Sequence, residues 1–188
     1  MGVLSSTGIF IITSIAGFVS FSLLLRLFME VSVVRVMHPV FDSIQKLTNP
    51  MIDFCRRSIF SASKTSLVVI ALLVSIELVK CAFVYLLTHG QMPSVWVLLL
   101  ISCFEGVSLF LNLCFYAILA HILLSWVPAL NNSPIAAVIR MVVNPVLRPF
   151  YKWVPVGHSG FDFAPLLAIL SIQLIENVFL SPMVSVFV

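Results

Sequence analysis

Charge is scarce in this 188-residue chain, with 9% of its residues being Asp, Glu, Lys or Arg, against about one quarter in soluble domains. So few ionic groups cannot coat a water-soluble core, and 61% of the residues are hydrophobic, giving a mean hydropathy of +1.19. Glycine is sparse too, and the seven present never cluster, which removes any glycine-rich phosphate loop. H-E-x-x-H and G-x-S-x-G are absent, so no hydrolytic signature is present and no enzyme is expected. The four cysteines, Cys55, Cys81, Cys103 and Cys114, form no C-x-x-C pair or zinc spacing. Three of them lie in apolar runs, where a thiol packs as a small hydrophobe. Neither a disulfide framework, a metal site nor a cofactor follows. The net charge of +3 does not point to nucleic acid, because the ten Lys and Arg residues sit mostly in two polar stretches beside apolar runs, as orientation charges do.

The apolar residues lie instead in blocks of membrane-spanning length. Ile9 to Phe28 reads as a retained first span, since no basic residue precedes it and the stretch lacks a convincing small-x-small cleavage site. Leu67 to Leu87 and Phe163 to Val188 are two further spans. The run from Val95 to Val127 is too long for one hydrocarbon core of ~30 Å at 1.5 Å per residue. One span from about Glu105 to Val127 fits best, with Val95 to Phe104 as an interfacial helix or an extension of the same helix. The expected fold is an all-α membrane protein of four transmembrane helices, with five as the alternative. Met29 to Ser66 carries Arg35, Lys46, Arg56, Arg57 and Lys64, and Pro128 to Asp162 carries Arg140, Arg148 and Lys152, whereas Thr88 to Ser94 carries no Lys or Arg. By the positive-inside rule both long loops are expected in the cytoplasm of a bacterial cell, with both termini periplasmic. Arg26 is expected to snorkel from its helix end.

The two halves also align. Laying His38-Pro39 on Ser133-Pro134 lays Asn49-Pro50 on Asn144-Pro145 and Arg57 on Lys152, because the Pro-to-Pro interval is eleven residues in both loops. After a short gap, Leu67, Ile70, Ile76 and Glu77 fall on Leu166, Ile169, Ile175 and Glu176. A run in register argues for a duplicated unit. Each unit has an even number of spans, so two like-directed helix–loop–helix repeats are expected, related by a pseudo-two-fold axis along the membrane normal. Residues 1–87 form the first, 88–104 a connector and 105–188 the second. Each interval between prolines reads as a short helix opened by proline. Val40, Phe41, Ile44 and Leu47 form an apolar face suited to the leaflet surface, and the second copy, with Ile135, Val138, Ile139 and Val142, is more apolar throughout.

The second unit resembles the YggT family, also called YlmG, at Leu124-Ser125-Trp126-Val127-Pro128, Asn144-Pro145-Val-Leu-Arg-Pro149 and Gly160-Phe-Asp162-Phe-Ala-Pro165. The duplicated layout, about Ile9 to Val84 and Leu109 to Leu180, is similar to the two-repeat proteobacterial form. The resemblance implies an inner-membrane protein without known catalytic activity, in a group associated with osmotic-stress tolerance and potassium handling, with division or nucleoid distribution, and in plastids with assembly of a cytochrome b haem protein. The first repeat departs from the pattern, with Arg26-Leu27-Phe28 at Ser125-Trp126-Val127 and Lys64-Thr65-Ser66 where the second has Asp162 through Pro165. Any site made by the latter turn is therefore asymmetric.

Ionisable groups inside a span are costly, by about 2.5 to 3.5 kcal/mol on insertion scales, and so are functional candidates. Glu77 and Glu176 sit near mid-span at equivalent positions, with Lys80 three residues after Glu77 and Gln173 three before Glu176. With His121 they are expected to form a midplane polar cluster, as interhelical glue or as an ion or proton path. Asp162 is expected to cap the fourth span, with Pro165 in its first turn. Two functions compete: a structural or assembly factor that organises another membrane protein or copies of itself, and a small ion channel or modulator using the paired glutamates. The expected partners are the bilayer and another membrane protein, not nucleic acid.

Overall fold

The computed structural model describes residues 3–31, 39–58, 65–131, 133–153, 162–180 and 182. All regular structure among them is helical: α1 (Val3–Val31), α2 (Pro39–Ser58), α3 (Thr65–His89), α4 (Val95–Ser125), a single 3-10 turn (Pro128–Leu130), α5 (Pro134–Trp153) and α6 (Ala164–Leu174), which continues as a wider π turn over Ile175–Leu180. Three helices, α1, α3 and α4, are long and apolar enough to cross a membrane. The helix expected as a fourth span is shorter, Ala164–Leu180, and much of the rest of its predicted range, to Val188, lies outside the described residues.

The difficult stretch after Val95 is one unbroken helix, with no break at Glu105-Gly106. It is thus an extension of the span and not a separate interfacial helix. Gly90 ends α3 at φ 69°, a left-handed position where a Cβ is disfavoured, and its N–H closes the last turn on the Leu86 carbonyl at 2.9 Å. Ser94 then caps α4, so five residues turn the chain back and α3 and α4 pack side by side. Trp96 and Trp126, 78% and 74% exposed, stand at the two ends of α4. Their separation along the axis, about 45 Å at 1.5 Å per residue, matches a whole bilayer of roughly 40–45 Å with its headgroup layers.

The two long loops hold α2 and α5, the two strongly amphipathic helices of the chain. They are longer than the sequence suggested. Each begins on its aligned proline and runs 20 residues, straight through Pro50 in α2 and through Pro145 and Pro149 in α5. An internal proline deletes one hydrogen bond and crowds the preceding turn. All three prolines lie on exposed faces, where water or headgroups can satisfy the freed carbonyls, so each helix continues past them. Nor do these helices merely lie on a surface. Thr48 and Ile52 of α2 are 1% and 2% exposed, and Ile52 shares a core with Leu23 of α1 and Val68, Val69 and Leu72 of α3. In α5, Val142, Val143 and Leu147 join Leu113, Cys114, Ala117 and Ile118 of α4 with Ala168 and Ile172 of α6. Leu47, expected on the inner face, is 51% exposed, while the side chains of Val40 and Phe41 lie outside the described residues. Each amphipathic helix is therefore a wedge closing its own hairpin. Leu24 of α1 belongs to the second core, which seals the two units together.

Candidate functional site

Polar groups inside the bundle collect on one stretch of α4, and the residues predicted to converge divide into three places. The first joins α3 to α4. Glu77 is 3% exposed and one of its oxygens lies 2.5 Å from Lys80 Nζ, one turn along the same helix. Lys80 also reaches across to donate to Glu105 of α4 at 3.2 Å. The short Glu77–Lys80 contact is an ion pair by distance, yet neither Glu77 oxygen has a hydrogen-bond partner of good geometry among the described residues. We treat it as a close charge pair, since Coulomb attraction depends on separation far more than on angle.

The second place joins the π turn to α4. Glu176 Oε1 accepts from the Ser108 hydroxyl and from Asn112 Nδ2 at 2.9 Å, while Oε2 is buried without a partner among the described residues. Glu176 sits in the first turn of the π segment, and such widenings are rare and often occur at functional positions. Measured along α4 from Trp126, Asn112 stands at about 21 Å and Ser108 at about 27 Å, so Asn112 marks the midpoint between the two tryptophans. Glu105 is less than one turn from Ser108. Glu77, through Lys80, and its aligned counterpart Glu176 are therefore tied to neighbouring turns of α4, between Glu105 and Asn112.

His121 is not part of this layer. It stands only about 8 Å from Trp126 along the axis, within electrostatic reach of Arg140 and Asp162. Gln173 also turns elsewhere, accepting from Asn177 Nδ2 along its own helix at 3.1 Å. The expected cluster of Glu77, Lys80, His121, Gln173 and Glu176 thus breaks up: α4 begins at Val95 and not near Glu105, which leaves His121 towards its far end, and Gln173 points away around its own helix. Ser108 and Asn112, unremarked in the sequence, replace them; an Asn in an otherwise apolar run was the available signal.

The third place is the loop end of the second unit. Asp162 Oδ1 accepts from the Ala164 N–H at 3.0 Å, and Oδ2 from the Tyr151 hydroxyl at 2.8 Å. The carboxylate thus satisfies an open N–H at the start of α6 and ties α5 to it, with Pro165 buried in the first turn. Burial and the adjoining carboxylate push the Tyr151 hydroxyl up to about 12. Arg140 donates to the Asn131 carbonyl. Of the other motif residues, Ser125 is exposed and donates to Ile122 O at 2.6 Å, Trp126 is exposed, Pro128 opens the 3-10 turn, and Asn144, Pro145 and Pro149 share the outer face of α5. Gly160 lies outside the described residues.

The first unit has its own latch. Arg26 is 5% exposed and does not snorkel. Its Nε donates to Glu30 at 2.9 Å, and its Nη1 to Thr48 Oγ1 at 2.6 Å and Asn49 Oδ1 at 2.7 Å. A guanidinium is the side chain that can serve three acceptors from a fixed planar fork. At the far end of α2, Arg56 donates to Thr65 at the start of α3 at 2.8 Å, the aligned counterpart of the Tyr151 tether. No group of three or more His, Cys, Asp or Glu that would hold a metal occurs among the described residues.

Comparison with known proteins gives relatives and no solved fold. The protein designated PA0392 of Pseudomonas aeruginosa is 26% identical over 175 residues, covering 92% of this chain and 88% of its own length. The protein YggT of Escherichia coli K12 is 25% identical over 167 residues, covering 89% of this chain and 86% of its own. Both carry the description uncharacterized. No solved structure matches. The CCB3/YggT family model matches residues 100–183, the stretch that holds most of α4 with α5, α6 and the three motifs, so this part of the chain is similar to the CCB3/YggT family.

Proposed function

We propose that this protein is a multi-pass inner-membrane scaffold, two like-directed repeats with four spans and cytoplasmic loops, that holds or organises another membrane complex and is not an enzyme. One observation carries the reading: the buried charges are engaged in ties between or along helices. Arg26, itself paired with Glu30 along α1, fastens α1 to α2, Lys80 bridges α3 and α4, and Glu176 clamps the π turn to α4. Such ties suit a rigid body that presents surfaces to a partner. The duplicated layout is supported by the equal length and matched prolines of α2 and α5, and by Ile52 and Leu147, aligned residues buried in the two cores. A role in osmotic-stress tolerance is a consequence of that partner's activity in this reading. Affinity capture from native membranes in mild detergent recovers a stoichiometric membrane partner if the reading is right. Recovery of nothing beyond copies of the chain counts against it.

A second reading, a small channel or modulator for potassium ions or protons, is favoured by a different observation. Apart from the close Lys80 charge on Glu77, Glu77 and Glu176 each leave a buried oxygen without a donor among the described residues. In this case purified protein in liposomes conducts, and Glu77→Gln with Glu176→Gln abolishes the flux. A wild-type flux at background removes it.

A further inference from the structure

Between the two units lies a cavity of about 250 Å³ with an almost wholly apolar lining, formed by α1, α4 and α5. Its floor includes Leu113, Ala117 and Val142, all buried, and its rim includes Phe21, Tyr116 and Ile135, which are 36%, 57% and 59% exposed. The rim is thus open to the surroundings of the bundle. Depth identifies those surroundings. The α4 residues of the wall, Leu113 to Ala120, stand about 20 to 9 Å from Trp126 along the helix, inside the hydrocarbon layer that the two tryptophans bracket. At that depth the medium is lipid tails, and an apolar void left empty forfeits the dispersion contacts of its walls.

We infer that this groove is a binding site for one acyl chain of a membrane phospholipid, held at the seam between the repeats. An engineered apolar cavity of about 150 Å³ already takes up benzene, so the larger groove holds several methylenes of a tail whose headgroup stays at the interface. Phe21 belongs to the first unit and Leu113, Ala117 and Val142 to the second. The bound chain therefore fills a gap between the halves, and its binding stabilises their association by mass action. The inference rests on the membrane placement of α4 alone and stands whether or not a protein partner exists.

The test fills the groove from within. Ala120 lines it, and Ala120→Phe places a ring where the chain lies, whereas Leu119→Phe changes a 40% exposed residue of the same turn that is not part of the lining. Native mass spectrometry of wild-type protein in mild detergent is expected to show one retained phospholipid. Retention falls at least about tenfold in Ala120→Phe, a loss of the order of 1.4 kcal/mol, and persists in Leu119→Phe. Phospholipid added back to delipidated protein raises the melting midpoint of the wild type and not that of Ala120→Phe. A second measurement needs no variant: a phospholipid with a photoreactive group on its tail is expected to crosslink to Phe21, Tyr116 or Ile135. Equal retention in all three proteins, no retained phospholipid, retention of a different apolar molecule, or crosslinks confined to the outer faces of α1 and α3 overturns the inference.

Discussion

Removing Lys80 alone should harm this protein far more than removing Lys80 together with Glu77. In Lys80→Met the Glu77 carboxylate keeps its place, 4% exposed, with its counter-charge gone and with Glu105 nearby. Breaking a buried pair by deleting one partner costs about 3–5 kcal/mol, because the remaining charge stays desolvated. The favourable part is much smaller: interhelical polar contacts in membranes average about 0.6 kcal/mol and reach about 1.7. Replacing both members by apolar residues, Glu77→Leu with Lys80→Met, therefore restores most of the loss and leaves the protein within about 1–2 kcal/mol of wild type. Glu105, whose side chain is 36% exposed, contributes a tie of surface strength, so Glu105→Gln costs about 1 kcal/mol or less. Unfolding of the purified protein by increasing SDS in mixed micelles, followed by circular dichroism, ranks the four proteins. If the double variant is as unstable as Lys80→Met, the pair is not an isolated charge tie and the reasoning fails.

The other ties make their own predictions. Arg26→Leu strands Glu30 and unlatches α2, costing about 3 kcal/mol by the same argument, and Arg26→Lys rescues little because a point charge cannot serve Thr48, Asn49 and Glu30 together; the SDS midpoint reads both. Tyr151 ionises near 12 in an ultraviolet phenolate titration, and Asp162→Asn brings it down. Since the neutral hydroxyl is the form that the fold holds, the stability from this tether is complete below the ordinary tyrosine value near 10 and is lost as pH rises from there towards 12. Ile118, fully buried in the second core, loses about 2–5 kcal/mol as Ile118→Ala, measured by the same unfolding series.

Composition and run length made the helical membrane class legible, because an apolar block of spanning length has few other uses. Register made the twin amphipathic helices legible: the prolines at 39 and 134 do open α2 and α5. Their ends were not, since a proline reads as a stop unless one knows which face it occupies, and Pro50, Pro145 and Pro149 are all turned outwards. Arg26 misled for a related reason. A basic residue at a helix end usually extends to water, and only the position of α2 supplies Thr48 and Asn49 as acceptors. The polar layer was half visible. Depth along a helix follows from counting, which found Glu77 and Glu176, but direction around it depends on packing, which brought in Ser108 and Asn112.

Cysteine accessibility in intact cells tests the central claim most directly. In a cysteine-free background, single cysteines at Lys46, Arg148 and Gln91, all exposed, are probed with a membrane-impermeant maleimide. Two like-directed hairpins leave the positions at 46 and 148 unlabelled until the cells are opened, and label 91 from outside. Labelling of only one of the two basic loops from outside contradicts the shared direction of the repeats, and protection of 91 together with both loops contradicts the membrane crossing of α3 and α4.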